Sequence, residues 1–571
     1  MREYSGSYRS RAKKVRPVRR GEVVLTSEPF VHIINYEYAS RYCDNCLTTF
    51  KEALLRPCSV CRVTWYCSRE CRDLSWHLHR WECPYLKRRF SSPPQDFVRL
   101  MARIIFKLRD GGDKIVEKYS EREGRRFRDL MNHYADIKKS KERKEDADYL
   151  IQELKKYISA EYIPNYSDFL GIYGRLLVNR FSLMDKTFLN IGSALYLAAS
   201  IFDHACKPNC YISFVGKKVQ IRALVDMPVF DYSKCRISYV DPVSSVTKRR
   251  EDLHEKWFFW CDCGTCQDQE RAKFENSVKC ENWDCQAPVY VPETRRDKRG
   301  PLQQGGSTTA GKQSSGQQQE NKGQQKEEEE QMATTSKEEQ REGQQIEEAD
   351  DAKDSLGRQQ EEEEEEEAAR PVCSLCESPV SEGTVRRYQE AVAFTKEKLK
   401  AMTEENPTMT YCLEMLEKQD NIFSPMNVWR VRTLDFAFNA AMFNGCWSLT
   451  LKYGEENLNG MRYYYGADHP TYSLFLFKFG KAKIYFKEFR EGLRLLEEAE
   501  PLLKIGVGPN HPIINELHLI SLMANEDIEI CLERRIAASK KREMELKKKH
   551  EMADFRAEIE RKLSMLLSPV A

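Results

Sequence analysis

Apolar and polar residues alternate from Gly21 to Ile34 (GEVVLTSEPFVHII), the period-two pattern of strands with one buried face. The alternation gives way to a block dense in Cys and His, and then to helical spacing from Asp96 to about Asn179. Residues 187–241 return to strand-like sequence: CYISFVGKKVQIRALV predicts a hairpin turned at Gly216, and CRISYV predicts a further strand. A strand region interrupted by an inserted block and a helical stretch is the organisation implied. From about Val385 onward apolar residues recur at helical spacing. GADHP (Gly466 to Pro470) and GPNHP (Gly508 to Pro512) each precede a helical stretch. Their spacing of about 42 residues is typical of stacked helical hairpins of the tetratricopeptide (TPR) kind, here degenerate. The last segment, Ala537 to Leu567, is highly charged and carries Met552, Phe555, Ile559 and Leu566 along one face. That stripe suits docking on the molecule or a partner better than a membrane.

Between about Arg295 and Arg370 the sequence becomes Gln, Gly, Ser and Glu, with an unbroken acidic run from Glu361 to Glu367. Such a composition cannot build a core and predicts a disordered insert.

At 571 residues with 41% hydrophobic content, the chain is long enough for two to four domains. Lys plus Arg (91) balances Asp plus Glu (89), which removes a global electrostatic argument for direct nucleic-acid binding. The first residues lack an apolar signal core, and no long apolar run occurs, so neither secretion nor membrane spanning is expected. Cytoplasm and nucleus are the expected compartments.

Twenty cysteines in a reducing compartment point to metal rather than disulfides. Cys43, Cys46, Cys58, Cys61, Cys67, Cys71, His79 and Cys83 form two C-x2-C knuckles followed by C-x3-C-x7-H-x3-C. Eight soft ligands imply two tetrahedral zincs. The spacing suits a cross-braced pair, with Cys43, Cys46, Cys67 and Cys71 on one ion and Cys58, Cys61, His79 and Cys83 on the other. His77 breaks that spacing. Cys280, Cys285, Cys373 and Cys376 make a zinc ribbon whose halves flank the insert, and loop closure grows slowly enough with length to permit a fourth ion there. Cys210, Cys235, Cys412, Cys446 and Cys531 read as ordinary buried thiols.

The block TWYCSRECRDLSWHLHRWEC resembles the MYND finger. FDHACKPNC (Phe202 to Cys210), RISYVD (Arg236 to Asp241) and WCDCGTC (Trp260 to Cys266) resemble the late motifs of SET domains. The order of these motifs resembles the SET and MYND domain family of protein-lysine methyltransferases. The resemblance implies an α+β multidomain fold: a β-rich SET core with an inserted MYND zinc finger, a post-SET zinc site and an all-α, TPR-like C-terminal lobe. The implied divisions are 1–42 for the first part of the SET domain, 43–83 for the finger, 84–186 for a helical insertion and 187–247 for the rest of the SET core. Residues 248–294 hold the post-SET segment and the first half of the ribbon, 295–370 the insert, 371–384 the second half, 385–536 the helical lobe and 537–571 the charged helix.

By the same resemblance, Tyr239 stands at the methyl-transfer point, and the motif near Asp203 meets the chain near Tyr239 in a pseudoknot. Asn132, Ser200, Asp203, His204, Tyr239, Trp257 and Phe259 frame an S-adenosylmethionine pocket. Cys206, Cys261, Cys263 and Cys266 hold the post-SET zinc that ties a flap over the site, beside the two finger zincs. A cleft between SET core and lobe would accept a protein substrate bearing the target lysine, histone or non-histone, and the finger would take proline-rich or basic peptides.

Three stretches depart from the family pattern. RSRAKK (Arg9 to Lys14) stands where a glycine-rich turn is usual, Asp203 replaces an Asn before His204, and FDYSK (Phe230 to Lys234) replaces a Gly-Glu-Glu turn. The alternative they raise is a catalytically weak or inactive SET-MYND scaffold that recruits protein partners, for example in transcriptional regulation.

Overall fold

The computed structural model describes residues 16–292, 370–404, 409–525 and 529–566. The RSRAKK stretch and nearly all of the Gln/Glu-rich insert lie outside them.

The N-terminal alternation resolves into two strands that part into different sheets. Val23–Ser27 joins a three-stranded antiparallel sheet in which Lys218–Ala223 is central and Cys210–Val215 is the far edge. Val31–Ile34 joins a second sheet, with Asn190–Leu195 central and Arg180–Met184 beyond it. The predicted hairpin turns at Gly216, whose φ is +56°. The strand Arg180–Met184 begins where the helix Tyr166–Asn179 ends, within the stretch assigned to the helical insertion. Leu183, Ile191, Tyr196, Phe202, Val219, Ile221 and Ile237 fill the core of these strands.

Two short segments cross in parallel: Asp203 pairs with Arg236 and His204 with Ile237, and Ala205 N donates to Ile237 O at 3.0 Å. This is the pseudoknot expected from the motifs. CRISYV contributes only Arg236–Ile237 to a strand, because the chain turns away at Ser238 to present Tyr239.

The finger does not hang free. Its helix Arg69–Arg88 is capped by Ser68, whose Oγ accepts from Cys71 N at 3.2 Å. The apolar helix Asp96–Arg109 lies between finger and SET strands, so Cys43, Cys58, Leu86, Ile104, Val31 and Ile33 share one core.

The C-terminal lobe is helical: Glu382–Glu404, Met409–Gln419, Val428–Phe443, Trp447–Tyr465, Pro470–Tyr485, Phe489–Val507 and Pro512–Asn525, packed chiefly against chain neighbours. The repeated motif has a physical role. Gly466 and Gly508, both at φ +90°, end one helix in a conformation that disfavours a side chain. Three residues on, His469 Nδ1 accepts from Thr471 N and His511 Nδ1 from Ile513 N, each at 3.2 Å. The intervening Pro begins the next helix, where its missing N–H costs nothing. The final helix, Glu529–Leu566, exposes Met552; the side chains of Phe555, Ile559 and Leu566 lie outside the described set.

Candidate functional site

The thiols converge as quartets: Cys43, Cys46, Cys67 and Cys71; Cys58, Cys61, His79 and Cys83; Cys206, Cys261, Cys263 and Cys266; Cys280, Cys285, Cys373 and Cys376. Tetrahedral zinc with Zn–S near 2.3 Å requires sulfurs about 3.8 Å apart. The pairs Cys67–Cys71 (3.6 Å), Cys58–Cys83 (3.7 Å), Cys206–Cys266 (3.5 Å) and Cys285–Cys373 (3.7 Å) sit close to that separation. The donor sets therefore fit structural zinc, all four positions taken by protein. His77 is turned to Leu74 O on the exposed side of its helix. Of the remaining cysteines, Cys210, Cys235 and Cys412 are buried as expected. Cys446 is exposed, because it stands in the loop before the helix Trp447–Tyr465.

A buried ionic network joins the finger to the SET strands. His79 Nδ1 lies 3.0 Å from Glu82 Oε1, which turns Nε2 towards Cys61 Sγ at 3.5 Å, within the ligand quartet. Arg99 and Arg103 bond Glu82, and Arg103 also bonds Asp44 at 3.0 Å. The same guanidinium donates to His32 O, on the strand Val31–Ile34. Burial alone would raise the Glu82 carboxyl, but Arg103 and Arg99 hold it well below the usual carboxylate range. Two cations and two anions balance, the condition for burying such a set. Two arginines four apart in the otherwise apolar FVRLMARIIF, residues 97–106, were the available sequence signal for it.

Around the knot, Tyr239 is fixed at both ends. Its N–H donates to His204 Nδ1 at 3.0 Å and its hydroxyl to Phe202 O at 2.6 Å. The ring packs 5.1 Å from Trp257 and 5.4 Å from His204, and His204 lies 6.2 Å from Phe259. Burial, reinforced by the charge of Asp203, pushes the phenol above its ordinary pKa, so it stays neutral. Asp203 itself is exposed and faces Arg236 at 3.9 Å.

Of the seven residues expected at the cofactor, His204, Tyr239, Trp257 and Phe259 form one aromatic group. Ser200, Tyr239 and Trp257 line a cleft of about 1190 Å³ between the SET strands and the lobe, whose opposite wall includes Tyr465, His469 and His511. Asp203, His204 and Phe259 lie off that wall. Asn132 Oδ1 accepts from Tyr134 N at 3.1 Å, and the neighbouring His133 stacks 4.7 Å from Phe258. Sequence reasoning missed Phe181, on the cleft wall, and Arg125, which donates to Ser200 O and Asp129 O. Arg125 sits on a two-residue strand, Gly124–Arg125, too short to leave a pattern.

A knot beneath a cleft, with a zinc-tied flap after it and a finger ahead of it, is the build of a SET-type protein with an inserted finger module. Residues 43–83 match the model of the MYND finger family. The chain is 23% identical over 514 residues to human "Histone-lysine N-methyltransferase SMYD3", covering 89% of this chain and 93% of the relative. It is 28% identical to "Histone-lysine N-methyltransferase ASHR1" of Arabidopsis thaliana, over 47% of this chain and 56% of that one. It is 26% identical to "N-lysine methyltransferase SMYD2" of Mus musculus, over 46% and 59% respectively. These matches, at modest identity over most of the chain, support a divergent member of the SET and MYND domain (SMYD) family. No helix among the described residues is long and apolar enough to cross a membrane.

Proposed function

We propose that this protein is an S-adenosylmethionine-dependent protein-lysine N-methyltransferase. The observation that carries the reading is the placement of Tyr239: its phenol is held between the knot and the aromatic flap, on the wall of a cleft large enough for a peptide. The names of its relatives support the same reaction class.

The residues fit a sulfonium cofactor. The aromatic faces of Tyr239, Trp257, Phe259 and His204, with the carboxylate of Asp203 nearby, suit a compact cation. When bound, that cofactor supplies an electrophilic methyl group. The chain supplies alignment and exclusion of water. Because the Tyr239 proton is committed to Phe202 O, the oxygen lone pairs are left to face the reacting centre. A neutral phenol is no base, so the target amine sheds its proton to solvent before it enters the site. Phe181 and Trp257 supply apolar walls for the lysine stem.

The test is calorimetric titration of the zinc-loaded protein with S-adenosylmethionine and with its demethylated product, followed by transfer of labelled methyl to lysine peptides. Micromolar cofactor binding, with transfer lost in Tyr239→Phe but binding retained, supports the enzyme. Absence of cofactor binding by folded wild-type protein would sink it and leave a recruitment scaffold built on the same fold.

A further inference from the structure

The helix Val246–Trp257 presents Arg249, Leu253 and Trp257 at four-residue intervals, one stripe along one face. Leu253 packs in a cluster with Cys206 and Cys261, and Trp257 and Phe259 pack against the same cluster. Arg249, one turn before Leu253, is fully buried.

The surroundings of Arg249 do not balance its charge. Its Nη1 donates to Ser244 O and to Glu275 Oε1, and the same oxygen takes Arg271 Nε at 3.1 Å. Glu275, also fully buried, is thus the one carboxylate ion-paired to either guanidinium among the described residues. Two cations share one anion, unlike the balanced set at the finger. Nε and Nη2 of Arg249 are buried with no hydrogen-bond acceptor in the structure. An unpaired buried charge is strongly unfavourable unless something compensates it. Zinc holding four thiolates is a dianion, and thiolate sulfurs accept hydrogen bonds. Leu253, one turn further along the same face, packs against Cys206 and Cys261, so the stripe that carries Arg249 runs onto the sulfur quartet.

We propose that Arg249 is the counter-ion of the post-SET zinc–thiolate centre, a positioning residue that secures the Trp257 to Phe259 flap beside Tyr239. The surplus cation and the surplus anion answer each other. The arrangement also ties the flap to the helical lobe. Arg271, which shares Glu275, donates to Tyr464 O at 3.4 Å and lies 4.9 Å from the Tyr464 ring. Glu275 Oε2 accepts from Val246 N at 2.6 Å, at the start of the Arg249 helix. A shift of the lobe helix Trp447–Tyr465 therefore reaches the zinc through one carboxylate and two guanidinium groups.

The test uses the full zinc-loaded chain as wild type, Arg249→Met and Arg249→Lys. Each is challenged with a high-affinity zinc chelator and N-ethylmaleimide, and the alkylated cysteines are mapped over time by mass spectrometry. Arg249→Met should expose Cys206, Cys261, Cys263 and Cys266 about tenfold faster, the usual scale for loss of a partner to metal ligands. The finger and ribbon cysteines should keep wild-type rates, and Arg249→Lys, which keeps the charge, should restore most of the protection. Unchanged rates at the post-SET quartet, equal acceleration at all four quartets, or an Arg249→Lys as labile as Arg249→Met would each overturn the assignment. The readout needs no methyl transfer, so it can fail or succeed independently of the proposed activity.

Discussion

His204 Nδ1 receives the backbone N–H of Tyr239 at 3.0 Å while its Nε2 lies 3.3 Å from Cys206 Sγ. One imidazole therefore spans from the phenol-bearing turn to a zinc ligand. His204→Ala leaves the part-buried Tyr239 N–H without its acceptor, a loss of about 1 kcal/mol. We expect single-turnover methyl transfer to fall by about tenfold or more. Zinc content, read by native mass spectrometry, should stay unchanged.

The Glu82 network should behave as a unit. Glu82→Gln leaves Arg99 and Arg103 sharing only Asp44. Breaking one member of a buried ionic set costs about 3–5 kcal/mol. Calorimetric unfolding should show a melting temperature lowered by several degrees. A change within half a degree would mean that water enters the finger seam.

Asp435, in the lobe helix Val428–Phe443, has its carboxyl pushed up to about 6, first by burial and opposed by Lys478. The folded state thus binds this proton more tightly than the unfolded chain. Its stabilising effect is full at low pH and is lost as pH rises from about 4 through 6. Asp435→Asn should therefore stabilise the protein at pH 7.5, by about 1 kcal/mol after solvent screening. The gain should vanish near pH 4.5, as denaturant midpoints at the two pH values will reveal.

The two capping histidines titrate in the opposite sense. Burial holds His469 and His511 at about 4, with Arg222 contributing at His511. The unfolded chain takes up these protons first, so stability is lost as pH falls from 6.5 towards 4. An Asn at each position keeps an acceptor for the capped N–H. The double variant His469→Asn, His511→Asn should lose less melting temperature between pH 7.5 and pH 5 than wild type does.

These histidines also show what was legible in the sequence. The GADHP and GPNHP echo announced a repeat because each of its three shared residues has a local job: the glycine ends a helix, the histidine caps the next and the proline starts it. Zinc quartets were equally readable, since short loops bring paired cysteines to one ion. The hairpin strands Glu117–Lys118 and Gly124–Arg125 were not, being too short to alternate. The strand Arg180–Met184 hid because it follows a helix without a break. Around Tyr239, the motifs led to the aromatic group that His204, Trp257 and Phe259 form with it. Where Asn132 stands relative to that group depends on how the helical insertion packs, which spacing does not carry. The kinship of Arg249 with Cys206 was beyond reach for the same reason, as it depends on how a helix lies across a knot.

The zinc ribbon gives this chain an unusual freedom. Cys280 and Cys376 lie 3.4 Å apart although the Gln/Glu-rich sequence runs between them. Glu281 on one half accepts from Ser381 Oγ on the other at 2.6 Å. With both ends of that passage fastened to each other, descendants of this protein can lengthen, shorten or rewrite it while the flanking halves keep their register. It is a stretch where inheritance can experiment without consulting the fold.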